Sequence, residues 1–230
     1  MAPDWLTIVA WISLSIAALC AAGILVDTFV AGHRQPMWIM EAVWPVTALY
    51  AGPVAVWAYA RYGRPMTAKW QRRRQLSEPP EKPKWASTAV GVSHCGAGCT
   101  LGDIIAAFIV FALGLQVAGS ALVPELIGDY ALALLLGILF QYFAIAPMRK
   151  LGVRDGLTAA AKADFLSLTA FEIGLFAWMI LVSTVLFTAP HLHPDEAAYW
   201  LMMQIGMVLG FITAWPANVW LMRRGIKEVM

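Results

Sequence analysis

Residues 5–26 read WLTIVAWISLSIAALCAAGILV, a run without one charged side chain. About 20 apolar residues suffice to carry an α-helix across the hydrocarbon layer of a bilayer. The run is too long for a secretory signal, and the Met-Ala-Pro-Asp before it supplies no basic flank. Leu19, just before Cys20, is too large for a lipoprotein cleavage site. The run therefore reads as a retained transmembrane helix, in which Cys20 is a small apolar side chain.

Five more apolar runs follow, at about 37–59, 103–123, 130–146, 165–188 and 197–222. They do not alternate apolar with polar residues, as barrel strands would. Across the 230 residues, 60% are apolar and 13% charged, whereas a soluble domain carries about 25% charge. The expected fold is all-α: a polytopic membrane protein of six transmembrane helices, forming a single transmembrane domain over 1–230, with the lipid bilayer as its first partner. No segment remains that could bury a separate soluble core. A net charge of +2 gives no reason to expect nucleic acid, and no glycine-rich nucleotide motif marks an ATP-driven pump.

Lysine and arginine set the expected orientation. Arg61, Arg64, Lys69, Arg72, Arg73, Arg74, Lys82 and Lys84 fall between runs two and three. Arg149, Lys150, Arg154 and Lys162 fall between four and five, and Arg223, Arg224 and Lys227 follow the sixth. The other gaps hold only Arg34. Basic loops stay in the cytoplasm, so six spans predict both termini inside, in a bacterial cytoplasmic membrane. Residues 61–99 read as a basic cytoplasmic loop, extended where Pro79, Pro80 and Pro83 cluster. Its Arg72-Arg73-Arg74 run suits anionic lipid.

The segment richest in chemistry is SHCGAGCTLGD, residues 93–103. Orientation predicts that His94, Cys95 and Cys99 sit at the cytoplasmic entrance of the third helix, where thiols stay reduced. Imidazole and thiolate are ligands for zinc and Cu(I), and Gly96 and Gly98 allow a tight fold between the two thiols. Asp103 lies one helical turn beyond Cys99, as a further ligand or a support for the imidazole. Three other readings of the segment stand: close helix packing through small residues, a reactive or redox thiol pair, and an anion held by glycine amides at a helix start.

Gln141, Glu172 and Asn218 are polar residues inside expected spans, and all are expected in the same inner half as the thiols. Ionisable groups there usually face a partner or an interior path. Glu172 reads either as an ion- or proton-coupling group or as a neutral acid bonded to Gln141. On the outer side, His191 and His193 lie near Asp195 and Glu196, with His33 in the other outer loop and Glu41 just inside the second helix; the histidines form a possible outer metal site. Met37, Met40, Met202, Met203 and Met207 suit Cu(I) as thioethers or fill gaps in an apolar core. Pro45, Pro53 and Pro216 predict kinks that free backbone carbonyls to line a cavity.

The chain resembles the bacterial membrane proteins grouped as domain-of-unknown-function family four-three-nine-six. The resemblance rests on residues 93–103 and extends through FQYFAIAPM (140–148), LSLTAFE (166–172), WPANVWLM (215–222) and GIKE (225–228). It covers most of the chain after the basic loop. It implies a fold and candidate positions, and no activity.

The function expected from the residues is binding and movement of a soft metal, copper before zinc. His94, Cys95 and Cys99 would be ligands, Asp103 a support and Glu172 the coupling group, with a metal-delivery or membrane-complex protein as partner. The alternatives are a membrane thiol-redox or cofactor-binding enzyme using Cys95 and Cys99, and a structural or assembly subunit.

Overall fold

A computed structural model describes residues 2–227, without the side chains of Pro147 and Met148; Glu228 of the quoted GIKE stretch lies outside the described residues. Its five long helices are α1 (Asp4–Leu25), α5 (Lys84–Leu113), α6 (Leu122–Arg149), α7 (Val153–Leu181) and α8 (Ala197–Arg223). One π-turn prolongs α1 over Val26–Val30 and another prolongs α7 over Val182–Leu186. All five are long and apolar enough to cross a membrane. Trp5, Ile8, Trp11 and Leu19 of α1 point outward, as do Phe165 and Ile173 of α7. At roughly 25 cal/mol per Å² such a surface is costly in water and at home in lipid. Phe171, Leu168 and Leu175 face inward with Ala107, Ala133 and Ala214.

The second apolar run departs from the expected straight span. It forms α2 (Met40–Ala51), a break at Gly52, and α3 (Pro53–Ala58), prolonged by a π-turn over Tyr59–Gly63. Gly52 has φ 52° and ψ −127°, a conformation that an L side chain resists, and Pro53 opens the next helix, where its missing N–H costs nothing. The chain doubles back there. The rings of Trp44 and Tyr59 meet edge to face at 5.7 Å, and a Cβ on Gly63 would fall 2.7 Å from the Trp44 indole. In one straight helix residues 44 and 63 would stand about 28 Å apart. The returning arm ends beside the end of α1: Arg64 Nη2 lies 3.0 Å from Asp27 Oδ1, and the Tyr59 hydroxyl donates to Asp27 Oδ2 at 2.8 Å. The expected six spans thus become five helices of spanning length and one hairpin that enters and leaves at the same end. A Gly-Pro pair can reverse a helix as well as kink it.

The hairpin changes which ends meet. Trp85, at the start of α5, packs on Tyr62 of the hairpin at 5.4 Å, and Lys69 donates to the Ala31 carbonyl after α1. Arg149, the last residue of α6, reaches the Gly225 carbonyl after α8. All 16 lysines and arginines, Arg34 included, therefore lie toward one end of the bundle, called the basic end below. Arg34 is bound there by Glu41 at 2.7 Å, a hydrogen bond that raises its pKa further above the ordinary value. Ser13 of α1 donates to Gln204 of α8 at 2.7 Å, in the first half of both helices, so α1 and α8 begin together at the opposite end, and Ala2 and Lys227 lie at opposite ends of the bundle.

The basic loop is shorter than the expected 61–99. A short helix, α4 (Ala68–Arg73), is capped by Thr67, whose hydroxyl accepts from Trp70 N–H. Helix α5 then begins at Lys84, well before Asp103. It runs without interruption through Gly96 and Gly98 because both glycines are spent on close packing against neighbouring helices.

Candidate functional site

The segment 93–103 occupies the middle of α5, buried on every side. Each face of the helix meets a different neighbour. Gly98 and Gly102, one turn apart, bring α5 onto the backbone of α6. A Cβ on Gly98 would fall 2.8 Å from Gly137 Cα, and one on Gly102 would fall 2.6 Å from Ala133 Cα. Gly96 makes room for the Phe171 ring of α7 and the Tyr50 hydroxyl near the tip of the hairpin, at 3.0 and 3.2 Å from such a Cβ. Thr100 donates to Met207 Sδ of α8 at 3.7 Å. These contacts are the small-residue packing that the sequence allowed.

The polar side chains of the segment divide between two faces. His94 turns toward α6, its ring 6.2 Å from that of Phe140 and beside Gln141. Cys95 and Cys99, one turn apart, share the face toward α7, Cys99 beside Glu172 and Cys95 beside Asp164. Successive residues of a helix point about 100° apart, which separates His94 from the thiol face. Among the described residues no three His, Cys, Asp or Glu side chains gather closely enough to hold one metal ion. The thiols are brought together; His94 and Asp103 do not join them as a ligand set. The thiols also lie mid-helix rather than at an entrance, and Asp103 lies beyond them toward the far end, because α5 starts so early.

The four helices enclose a column of buried polar groups that runs nearly the length of the bundle. From the basic end it begins with Lys227, Asn218 and Ser167, held by hydrogen bonds. Asp164 stands one turn from Ser167 on α7, on the side toward the basic end, its carboxylate lying on the α6 backbone where Gly137 has no side chain. Next come His94 with Gln141, then Cys95, Cys99 and Glu172. Asp103 and Asp129 both stand within electrostatic range of Glu172. Tyr199 and Glu125 adjoin Asp129. Glu125 and Tyr199 finally line a cavity of about 70 Å³ with Ser120, His191 and His193 at the far end.

Most of this column lacks hydrogen bonds within the protein. No hydrogen bond of ordinary geometry reaches the carboxylate oxygens of Asp103, Asp164 and Glu172, the ring nitrogens of His94 or the Gln141 amide; beside them stand the Cys95 thiol at Asp164, the Cys99 thiol at Glu172 and Gln141 at His94. The Tyr50 and Tyr199 hydroxyls and Asp129 Oδ1 likewise lack such a bond. A buried polar group left so costs about 1–3 kcal/mol, and native proteins leave few of them.

Of the residues singled out in the sequence, Gln141, Glu172 and Asn218 therefore belong to the column along with His94, Cys95, Cys99 and Asp103. Glu172 and Gln141 are not bonded to each other. The outer histidines are split: His33 binds Asp27 at 3.1 Å at the basic end, while His191, bonded to the Phe187 carbonyl at 3.0 Å, and His193 lie at the other. Asp129, Asp164 and Tyr199 escaped notice in the sequence. The two aspartates stand just before the apolar runs at 130–146 and 165–188. The signal that could have placed Asp164 is helical spacing, since Asp164, Ser167, Phe171 and Glu172 fall on one face.

The family described as Domain of unknown function (DUF4396) matches residues 84–227. The match opens on the first residue of α5 and closes on Lys227, so it takes in the four column-forming helices and leaves out α1 and the hairpin. No curated protein and no solved structure matches the chain.

Proposed function

The chain belongs to the DUF4396 family, and on that premise we propose that it is a proton-coupled transport protein of the bacterial cytoplasmic membrane, working along the polar column of α5–α8. The basic end faces the cytoplasm by the distribution of lysine and arginine. Five crossings then put the start of the chain outside and Lys227 inside. The hairpin enters from the cytoplasmic side and presents Tyr50 to the column at mid-depth.

The observation that supports this reading is the run of buried carboxyl groups from Asp164 through Glu172 and Asp103 to Asp129. An ionisable group at the centre of a membrane helix costs about 2.5–3.5 kcal/mol. Apolar side chains of similar size would pack the same space at lower cost, so packing alone gives no reason for several such groups in line. A carboxyl group both donates a proton and accepts one, and water between such groups completes a relay. Glu172 stands centrally, in reach of Cys99 on one side and of Asp103 and Asp129 on the other.

A second reading concerns the cargo. Cys95 and Cys99 share one helix face, one turn apart, and two thiolates suit a soft cation, Cu(I) before Zn(II). In this form the metal site is the thiol pair without His94, and the carboxyl groups carry the compensating protons. The test is vesicle transport with purified protein, following internal pH and, separately, copper(I) and zinc uptake. Faster proton entry than in protein-free vesicles supports the reading. If neither protons nor metal move above the leak, the transport reading fails and the bundle is a structural or assembly subunit.

A further inference from the structure

After α8 the chain turns at Gly225 (φ 66°) and folds back, so that the N–H groups of Ile226 and Lys227 both reach the Leu221 carbonyl, at 3.0 and 3.4 Å. This sends the Lys227 side chain into the bundle, where it is 1% exposed. Its ammonium donates to Asn218 Oδ1 at 2.7 Å and to Ser167 Oγ at 3.3 Å. Asn218 is fixed in turn, its amide donating to Ser167 Oγ at 2.7 Å and to the Ala214 carbonyl at 2.9 Å. Asp164, one turn from Ser167 on α7, is fully buried, with no hydrogen bond of ordinary geometry and only the Cys95 thiol beside its carboxylate. It lies within electrostatic range of Lys227 but is in none of the ion pairs among the described residues.

A lysine loses rotamer freedom when fixed, and its charge loses water. Two neutral oxygens and a nearby carboxylate outside any ion pair are the groups that recognise a compact cation with three donors. We propose that Asn218, Ser167 and Asp164 form a binding site for a primary ammonium or ammonium-sized monovalent cation at the basic end of the column, and that Lys227 occupies it as a tethered plug. A cargo cation leaving by this end displaces the lysine, and the glycine turn at Gly225 is the hinge about which the plug withdraws. The role in flux rests on the column being the working path; occupancy of the site does not.

The test is chemical rescue of full-length Lys227→Ala. Ethylammonium chloride is compared with choline chloride at equal ionic strength. Ethylammonium raises the melting temperature of the variant by about 2–4 °C over choline and leaves the wild type unmoved. Adding Asn218→Leu abolishes the difference. An equal response to both salts, or none, overturns the site. If Lys227→Ala gives no folded protein, Lys227→Ser opens the same space and is read the same way. In vesicles Lys227→Ala increases cation flux several-fold. Rescue by ethylammonium without flux in either protein supports the site and counts against the transport reading.

Discussion

Gly102 of α5 and Ala133 of α6 are packed backbone to backbone, so closely that a Cβ on the glycine would fall 2.6 Å from Ala133 Cα. Gly98 meets Gly137 in the same way one turn earlier. Overpacking a tight contact costs about 1–3 kcal/mol, more than the roughly 1 kcal/mol that alanine gains over glycine in a helix. Gly102→Ala and Gly98→Ala therefore each lower the melting temperature of the purified protein. Gly23→Ala on α1, where a Cβ meets nothing within 4 Å, leaves it unchanged or raises it. Equal effects at the three positions would contradict the packing.

The hairpin at Gly52 makes a topological prediction. With Cys20, Cys95 and Cys99 replaced, single cysteines at Ala2 and Ser77 should react with a membrane-impermeant maleimide from opposite faces of the membrane. Six straight spans would put both on the same face. Labelling from the same face rules out the hairpin topology.

The division of the 93–103 segment between two helix faces separates His94 from the thiols. In elemental analysis after loading with copper(I) under reducing conditions, Cys95→Ser and Cys99→Ser each lose bound metal, and His94→Ala retains it. Loss in all three variants would restore the three-ligand site, against the observed geometry. No metal in the wild type removes the soft-cation cargo and leaves the proton path untouched.

Much of the helical organisation was legible in the sequence, because runs such as 5–26 and 197–222 leave a chain in lipid little other choice. At the second run the structure departs from the expected straight span for a physical reason: hydropathy sums over a window and is blind to direction, so an apolar hairpin and an apolar span score alike. Only the Gly52-Pro53 pair distinguished them. Of the readings that the sequence leaves open for segment 93–103, close helix packing is the one its glycines serve, in contacts with α6 and α7 rather than in a loop. Asp129 and Asp164 went unseen because a charged residue beside an apolar run reads as its boundary. A helix that continues past the run buries it instead.

The central claim is that the buried carboxyl groups form the working path, with Glu172 as its hub. The most direct measurement is the initial rate of proton entry into vesicles under an imposed membrane potential, for the wild type beside Glu172→Gln, which keeps the shape and removes the titrating group. Positioned proton-transfer groups contribute about 10²–10⁴-fold to rate, so the predicted result is a fall to the leak of protein-free vesicles with an unchanged melting temperature. A folded Glu172→Gln protein that carries protons as fast as the wild type would contradict the account.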